Sequence, residues 1–337
     1  YVDRSPGAEV ALEQAGLALI FLMFVGATTL FHLVWRKTPR YTDLLLMTAN
    51  GAAYFSITAG LLHAEYEGWL PLVALSLVLL YGLVAYASLL RRGGSAQLTI
   101  FALATALIFL TIAVPLQLSG EWITIAWAAE GATLIGVGFL LNNRNIRAFG
   151  LAVFPIVIIR LMFFDTQVDP GDFKLILNTR FLTFVGAIVS MYIGWYLYWR
   201  YRSSAEEWEM YNKPLLFALA NFFSLWILSA EAIRYFDSRT FTFDTYSAIH
   251  LSLTLMWALY AVIVLVAGAF TASQQVRLAA LGLLAIAVIK LFVVDSSVLG
   301  GAYRVTAFIS LGFLLIIIGF LYQRYRGVLR EFFLGRS

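Results

Sequence analysis

Eleven stretches of this chain are apolar over lengths that can cross a bilayer, and little separates one from the next. A hydrocarbon core of about 30 Å takes about 20 helical residues. The stretches fall near 15–35, 43–63, 69–90, 97–117, 122–141, 147–164, 180–199, 214–236, 246–270, 277–294 and 304–323. They are too long and too continuous for the alternating strands of an outer-membrane barrel, and inside hydrocarbon only a helix satisfies its own backbone. The expected fold is therefore all-α and integral to the membrane. With 61% hydrophobic and 12% charged residues, the composition leaves the range of soluble domains. The widest connections, near 165–179, 200–213 and 237–245, are too short to hold a soluble catalytic domain.

Basic residues collect in alternate loops. Arg36, Lys37, Arg40, Arg91, Arg92, Arg144, Arg147, Arg200, Arg202, Lys213, Arg277, Arg324, Arg326, Arg330 and Arg336 share one side, while Glu65, Glu67, Glu121, Asp165, Asp169, Asp172, Asp237, Asp244 and Asp295 share the other. The positive-inside rule then puts the N-terminus outside and the C-terminus in the cytoplasm, with the bacterial cytoplasmic membrane as the expected location. Trp195, Tyr196, Tyr198, Trp199 and Tyr201 read as interfacial anchors at a cytoplasmic exit. The isoelectric point near 9.2 follows from this loop bias, so the expected partners are the lipid bilayer and other membrane proteins, not nucleic acid. The chain opens on Tyr1 rather than Met, so a preceding segment, processed or outside this numbering, is expected.

A charge pattern occurs twice. Val-Ile-Ile-Arg160-Leu-Met-Phe-Phe-Asp165 and Ala-Val-Ile-Lys290-Leu-Phe-Val-Val-Asp295 each place an acid five residues after an intramembrane cation. Phe101-Ala-Leu-Ala104 matches Phe217-Ala-Leu-Ala220, Trp127 matches Trp257, Arg147 matches Arg277, and Tyr201-Arg202 matches Tyr325-Arg326. These matches imply a parallel duplication of four-helix units, since an even number of crossings returns each copy to the same side. The expected division is 1–96 for three N-terminal helices, 97–202 for the first repeat, 203–213 for a linker, 214–326 for the second repeat, and 327–337 for a tail. Repeats of this sort build a pseudo-symmetric bundle around a central site or a curved row of hairpins, and the sequence does not choose between them.

The run Ile-Ala-Trp127-Ala-Ala-Glu130-Gly131, the turn Asn-Asn-Arg144-Asn-Ile-Arg147, the Ile-Arg160-Leu-Met-Phe-Phe-Asp165 end and the following Leu-Asn178-Thr-Arg180-Phe resemble the bacterial multi-pass proteins grouped as domain of unknown function 2339. The likeness is strongest over 120–205 and looser over 244–326, where Glu-Gly becomes Tyr260-Ala261 and Asn-Thr-Arg-Phe becomes Ala302-Tyr-Arg304-Val. It implies a polytopic bacterial membrane protein and brings no established activity.

Intramembrane charges are costly, at least about 2.5–3.5 kcal/mol on insertion scales, and call for partners or a wet cavity. Glu130 lies about 12 Å and Arg160 about 7 Å from the acid-bearing ends of their helices, so the two are expected to meet; Glu231 and Lys290 form the corresponding expected pair. Together with Asp165 and Asp295 these residues either form packing ion pairs or line an outward-facing polar cavity for an anionic headgroup, sugar or metabolite. Asn50 and Asn221 are expected to hydrogen-bond between helices, and Gly186, Ser190 and Gly194 form a small-residue packing stripe. His32, His63 and His250 fall on different helices and ends, the Asp165–Asp172 loop lacks an EF-hand pattern, and there is no cysteine. No metal site, cofactor or catalytic residue is assigned, and no nucleotide-loop, nucleophile-elbow or zinc-protease motif occurs. Transport or lipid and glycan handling is the leading expectation, a structural or assembly subunit of a larger membrane complex the alternative, and an integral-membrane transferase the least favoured reading.

Overall fold

The computed structural model describes residues 6–35, 37–62, 66–90, 96–166, 174–239, 241–270 and 274–324. The elements run α1 Pro6–Val25, a π-helical turn Gly26–Leu30, α2 Phe31–Trp35, α3 Tyr41–Leu62, α4 Leu70–Leu90, α5 Ala96–Gln117, α6 Trp122–Leu140, α7 Arg144–Phe163, α8 Thr179–Arg200, α9 Asn212–Asp237, α10 Thr245–Phe270, α11 Gln274–Lys290, a second π-helical turn Leu291–Asp295, α12 Ser296–Val298 and α13 Gly301–Arg324. Among the described residues ten spans are long and apolar enough to cross a membrane, and α13 adds a shorter apolar stretch, Gly301–Ile316. The first span begins earlier than hydropathy suggests, at Glu9, because the helix carries its two acids out past the apolar run.

Packing divides the chain into two units, Tyr1–Asp165 and Thr166–Ser337. In the first, α1 packs on α3, and α4–α5 and α6–α7 form tight antiparallel hairpins. Its core joins Phe21, Leu44, Met47, Leu77, Tyr81 and Phe109, and the Tyr81 hydroxyl reaches the Met47 carbonyl at 3.0 Å. In the second, α8–α9 and α10–α11 are the tight hairpins, with α13 against α10. The boundary falls inside the 97–202 segment taken from sequence as one repeat. α8, the last helix of that segment, packs most on its hairpin neighbour α9 and belongs with it. Sequence repeat and packed unit are therefore out of phase by one helix.

The hairpin turns follow from local chemistry. Asn142 adopts φ +48°, a left-handed conformation that asparagine tolerates, and Asn143 Oδ1 accepts the backbone N–H groups of Asn145 and Ile146 to cap α7. Asn178 caps α8 through the Phe181 N–H at 2.8 Å, and Asp244 caps α10 through Tyr246 at 3.1 Å. Of the aromatic residues read as interfacial anchors, Tyr196 and Trp199 are exposed, but Tyr198 is fully buried.

Small residues admit close backbone approaches. On α8, Ser190 and Gly194 are buried and Gly186 is half-buried. The tight crossing lies between α6 and α7, where a Cβ on Gly150 would stand 2.6 Å from the Gly131 carbonyl oxygen. Gly138 and Gly268 make room for Arg147 and Arg277: a Cβ at either would come within 2.5 and 2.9 Å of the arginine Cγ. Both arginines are buried, and Arg147 donates to the Gly138 carbonyl while lying over the Phe139 ring.

Candidate functional site

The two cation–acid segments close on themselves. An α-helix turns about 100° per residue, so residues five apart point about 140° away from each other. A π-type turn removes that divergence. In the second copy the turn Leu291–Asp295 is π-helical, and Lys290 Nζ reaches Asp295 Oδ1 at 2.7 Å. In the first, the Asp165 N–H bonds to the Arg160 carbonyl five residues back, at 3.0 Å, and Arg160 Nε stands 3.6 Å from Asp165 Oδ2.

A threonine on the preceding helix completes each cluster. Thr124 of α6 donates to Asp165 Oδ2, and Thr254 of α10 donates to Asp295 Oδ2. Each cation also takes a backbone carbonyl: Arg160 Nη2 reaches Gly120 O at 2.7 Å, and Lys290 Nζ reaches His250 O at 3.2 Å and Thr254 Oγ1 at 2.6 Å. Gly120 and His250, Thr124 and Thr254, Arg160 and Lys290, and Asp165 and Asp295 each stand 130 positions apart. The same constellation is thus built twice, from the hairpin α6–α7 and from the hairpin α10–α11. Asp165 and Asp295 are both buried, and His250 Nδ1 lies 3.6 Å from Asp295 Oδ1 only in the second copy, because glycine holds that place in the first.

This geometry corrects the expected partners. Arg160 does not pair with Glu130, nor Lys290 with Glu231: the π-type turns supply each cation with an acid from its own segment. Glu231 is taken by the start of α8, accepting from Arg180 Nη2 at 2.8 Å, Asn178 Nδ2 at 2.9 Å and the Ile176 N–H at 3.0 Å. Ile176 holds φ +66°, a strained conformation for a β-branched residue, and its bond to Glu231 stabilises that bend. Among the described residues Glu130 accepts only the Thr111 hydroxyl, at 2.9 Å.

The asparagines both bridge helices. Asn50 Nδ2 donates to the Phe21 carbonyl at 3.1 Å, and Asn221 Oδ1 accepts the Tyr260 hydroxyl at 2.8 Å while its Nδ2 donates to Phe217 O. Trp127 Nε1 donates to Thr111 O, and its counterpart Trp257 donates to Ser229 Oγ, both at 2.9 Å. His32 faces Asp43 at 3.1 Å. His63, Asp169 and Asp172 lie outside the described residues. Among the described residues no three His, Asp or Glu side chains gather as a metal site would require. Thr124 and Thr254 are the site residues that sequence reasoning did not single out, their 130-residue spacing being the available signal; Asn178 and Arg180 were noted only in the run that carries the family resemblance, without a role at the site.

The second unit also contains a cavity of about 770 Å³ flanked by α9, α10 and α11. Ala218, Ala230, Ala279 and Gly282 leave the space, and Trp257 and Ser229, bonded to each other, supply polar atoms that are already satisfied.

A family model described as predicted membrane protein (DUF2339) matches residues 2–165 and, consecutively, 166–325, meeting where the packing also divides. No curated protein and no solved structure matches the chain.

Proposed function

We propose that this chain, which belongs to the DUF2339 family of predicted membrane proteins, serves as a structural or assembly subunit within a bacterial cytoplasmic membrane. One observation carries the reading. Arg160, Arg180 and Lys290 are each closed by a buried acid of their own hairpin, and carbonyl and hydroxyl oxygens fill further donor positions. A polar substrate entering between these helices would have to break those bonds without equivalent replacement. A duplicated cluster in which each cation already holds an acid of its own hairpin suits a protein whose charges fix helix register. Segregated loop charge and helical spans favour the cytoplasmic membrane.

The absence of cysteine allows a clean test. Single cysteines are placed at Ser190, Thr58 and Thr183, which are buried, and at the exposed loop positions Ser203 and Ser238. A membrane-impermeant maleimide should label the loop positions and none of the interior ones. Labelling of an interior position from either side would reveal a wet path and return transport to the lead. Intact cells also report orientation: Ser238→Cys should label and Ser203→Cys should not.

The cavity in the second unit favours a second reading, the holding of an apolar molecule such as a lipid tail. Its lining is mostly apolar, and the Trp257 Nε1 and Ser229 Oγ atoms in its wall are bonded to each other, so hydrocarbon suits it. Ser229→Cys should then react with an apolar maleimide and not with the impermeant one; reaction with both would rule the reading out.

A further inference from the structure

Glu130 stands apart from the other acids within the membrane helices. It lies eight residues from the start of α6 and ten from its end, about 12 and 15 Å, so its nearer helix end is more distant than that of any other acid among the described residues. Its Oε1 accepts the Thr111 hydroxyl, while Oε2 is buried and meets no hydrogen-bond donor among the described residues. Asp165, Glu231 and Asp295 each have a cation within 3.6 Å; Glu130 has none among the described residues.

Among the described residues the helices packed most closely against α6 are α7 and α5. α5 carries no charged residue. α7 carries Arg144, at its first position, Arg147, bonded to Gly138 O, and Arg160, bonded to Gly120 O and paired with Asp165. Glu121, on the other side of Trp122, is the remaining charged group beside the helix. An ionised carboxylate at this depth would therefore be left uncompensated in a medium that solvates it poorly. The duplication supplies an independent indication. The position 130 residues on is Tyr260, a neutral group that hydrogen-bonds the preceding transmembrane helix through Asn221, just as Glu130 bonds the preceding helix through Thr111.

We propose that Glu130 is a membrane-embedded proton-binding site: its carboxyl takes an exchangeable proton as its counter-ion and is a neutral acid in the resting protein. The proposal does not depend on the assembly reading, since a proton held here requires no polar substrate pathway. The chemistry is that of a bound hydron alone, held at Oε2, with Thr111 fixing the orientation of the carboxyl through Oε1.

Infrared spectroscopy of the full chain in lipid bilayers at neutral pH tests it, because the C=O stretch of a protonated carboxyl is separate from carboxylate bands. Wild type should show a carboxylic-acid band that disappears in Glu130→Gln, persists in Asp165→Asn, and shifts down when water is exchanged for deuterium oxide. Thr111→Val, which removes the hydroxyl donor, should move the same band upward without abolishing it. Absence of a Glu130-dependent band overturns the proposal, and a band insensitive to deuterium oxide overturns exchange. If Glu130→Gln does not fold, the Thr111→Val shift decides: a moved band supports the site and an unmoved one refutes it.

Discussion

Replacing Gly150 by alanine places a methyl carbon 2.6 Å from the Gly131 carbonyl oxygen, 2.9 Å from the Ile135 nitrogen and 3.0 Å from Ile135 Cγ1. Two of those neighbours are backbone atoms of α6 that cannot swing aside, so α6 and α7 must separate. Overpacking of this kind costs about 1–3 kcal/mol. Alanine also favours a helix over glycine by about 1 kcal/mol, which partly masks the strain. Gly60→Ala, in α3 of the same unit, receives the helix benefit with nothing within 4 Å. The two variants should therefore differ by about 1–3 kcal/mol in unfolding free energy, a factor of roughly 5 to 150 in the equilibrium constant. Reversible denaturant unfolding in one detergent, read by tryptophan fluorescence, measures the difference. If Gly150→Ala unfolds at the same midpoint as Gly60→Ala, the close crossing of α6 and α7 is refuted.

Thr124→Val removes one hydroxyl bond to a buried carboxylate and should cost about 1.5–3 kcal/mol in the same unfolding assay, while Thr254→Val also removes the oxygen that accepts from Lys290 and should cost more; a smaller loss for Thr254→Val would contradict that arrangement. Glu231→Ala strands buried Arg180 and should cost about 3–5 kcal/mol, with Glu231→Gln intermediate because its amide oxygen still accepts Asn178 or Ile176; equal stability of wild type and Glu231→Ala would contradict the node. Asp244 is held below the usual carboxylate range by the Ser247 hydroxyl and N–H, then by the Tyr246 N–H. Its capping contribution is therefore complete above the ordinary aspartate range and is lost as pH falls through the depressed value. Amide hydrogen exchange at Tyr246 and Ser247 should accelerate there, relative to the intrinsic rate, in wild type and be pH-flat in Asp244→Asn.

The helices were legible because hydrocarbon leaves an apolar run of 20 residues few other conformations. The partners of the charges were not. Arg160 and Glu130 were paired from their depths along the helices, and a π-type turn, which brings Asp165 back to Arg160, reverses that conclusion. Thr124 and Thr254 gave no local signal, since a threonine inside a helix ordinarily bonds the carbonyl one turn back. Glu231 and Arg180 are 51 residues apart, and only the packing of α8 on α9 makes them neighbours. The α8 stripe of small residues was visible as a pattern, whereas Gly150 and Gly131 matter through a crossing that no single helix reveals.

The placement of the charge clusters has a consequence for synthesis. Arg160, Asp165, Thr124 and Gly120 all belong to one hairpin and its entry turn; Arg180, Asn178 and Glu231 come from a second, and Lys290, Asp295, Thr254 and His250 from a third. As the chain leaves the ribosome, each hairpin carries everything needed to neutralise its own cation before the next one emerges. Pairs of helices, rather than single helices or whole repeats, are then the natural units of insertion. Cutting the gene between hairpins should yield fragments that enter the membrane, while cutting within one should leave a bare charge at the translocon.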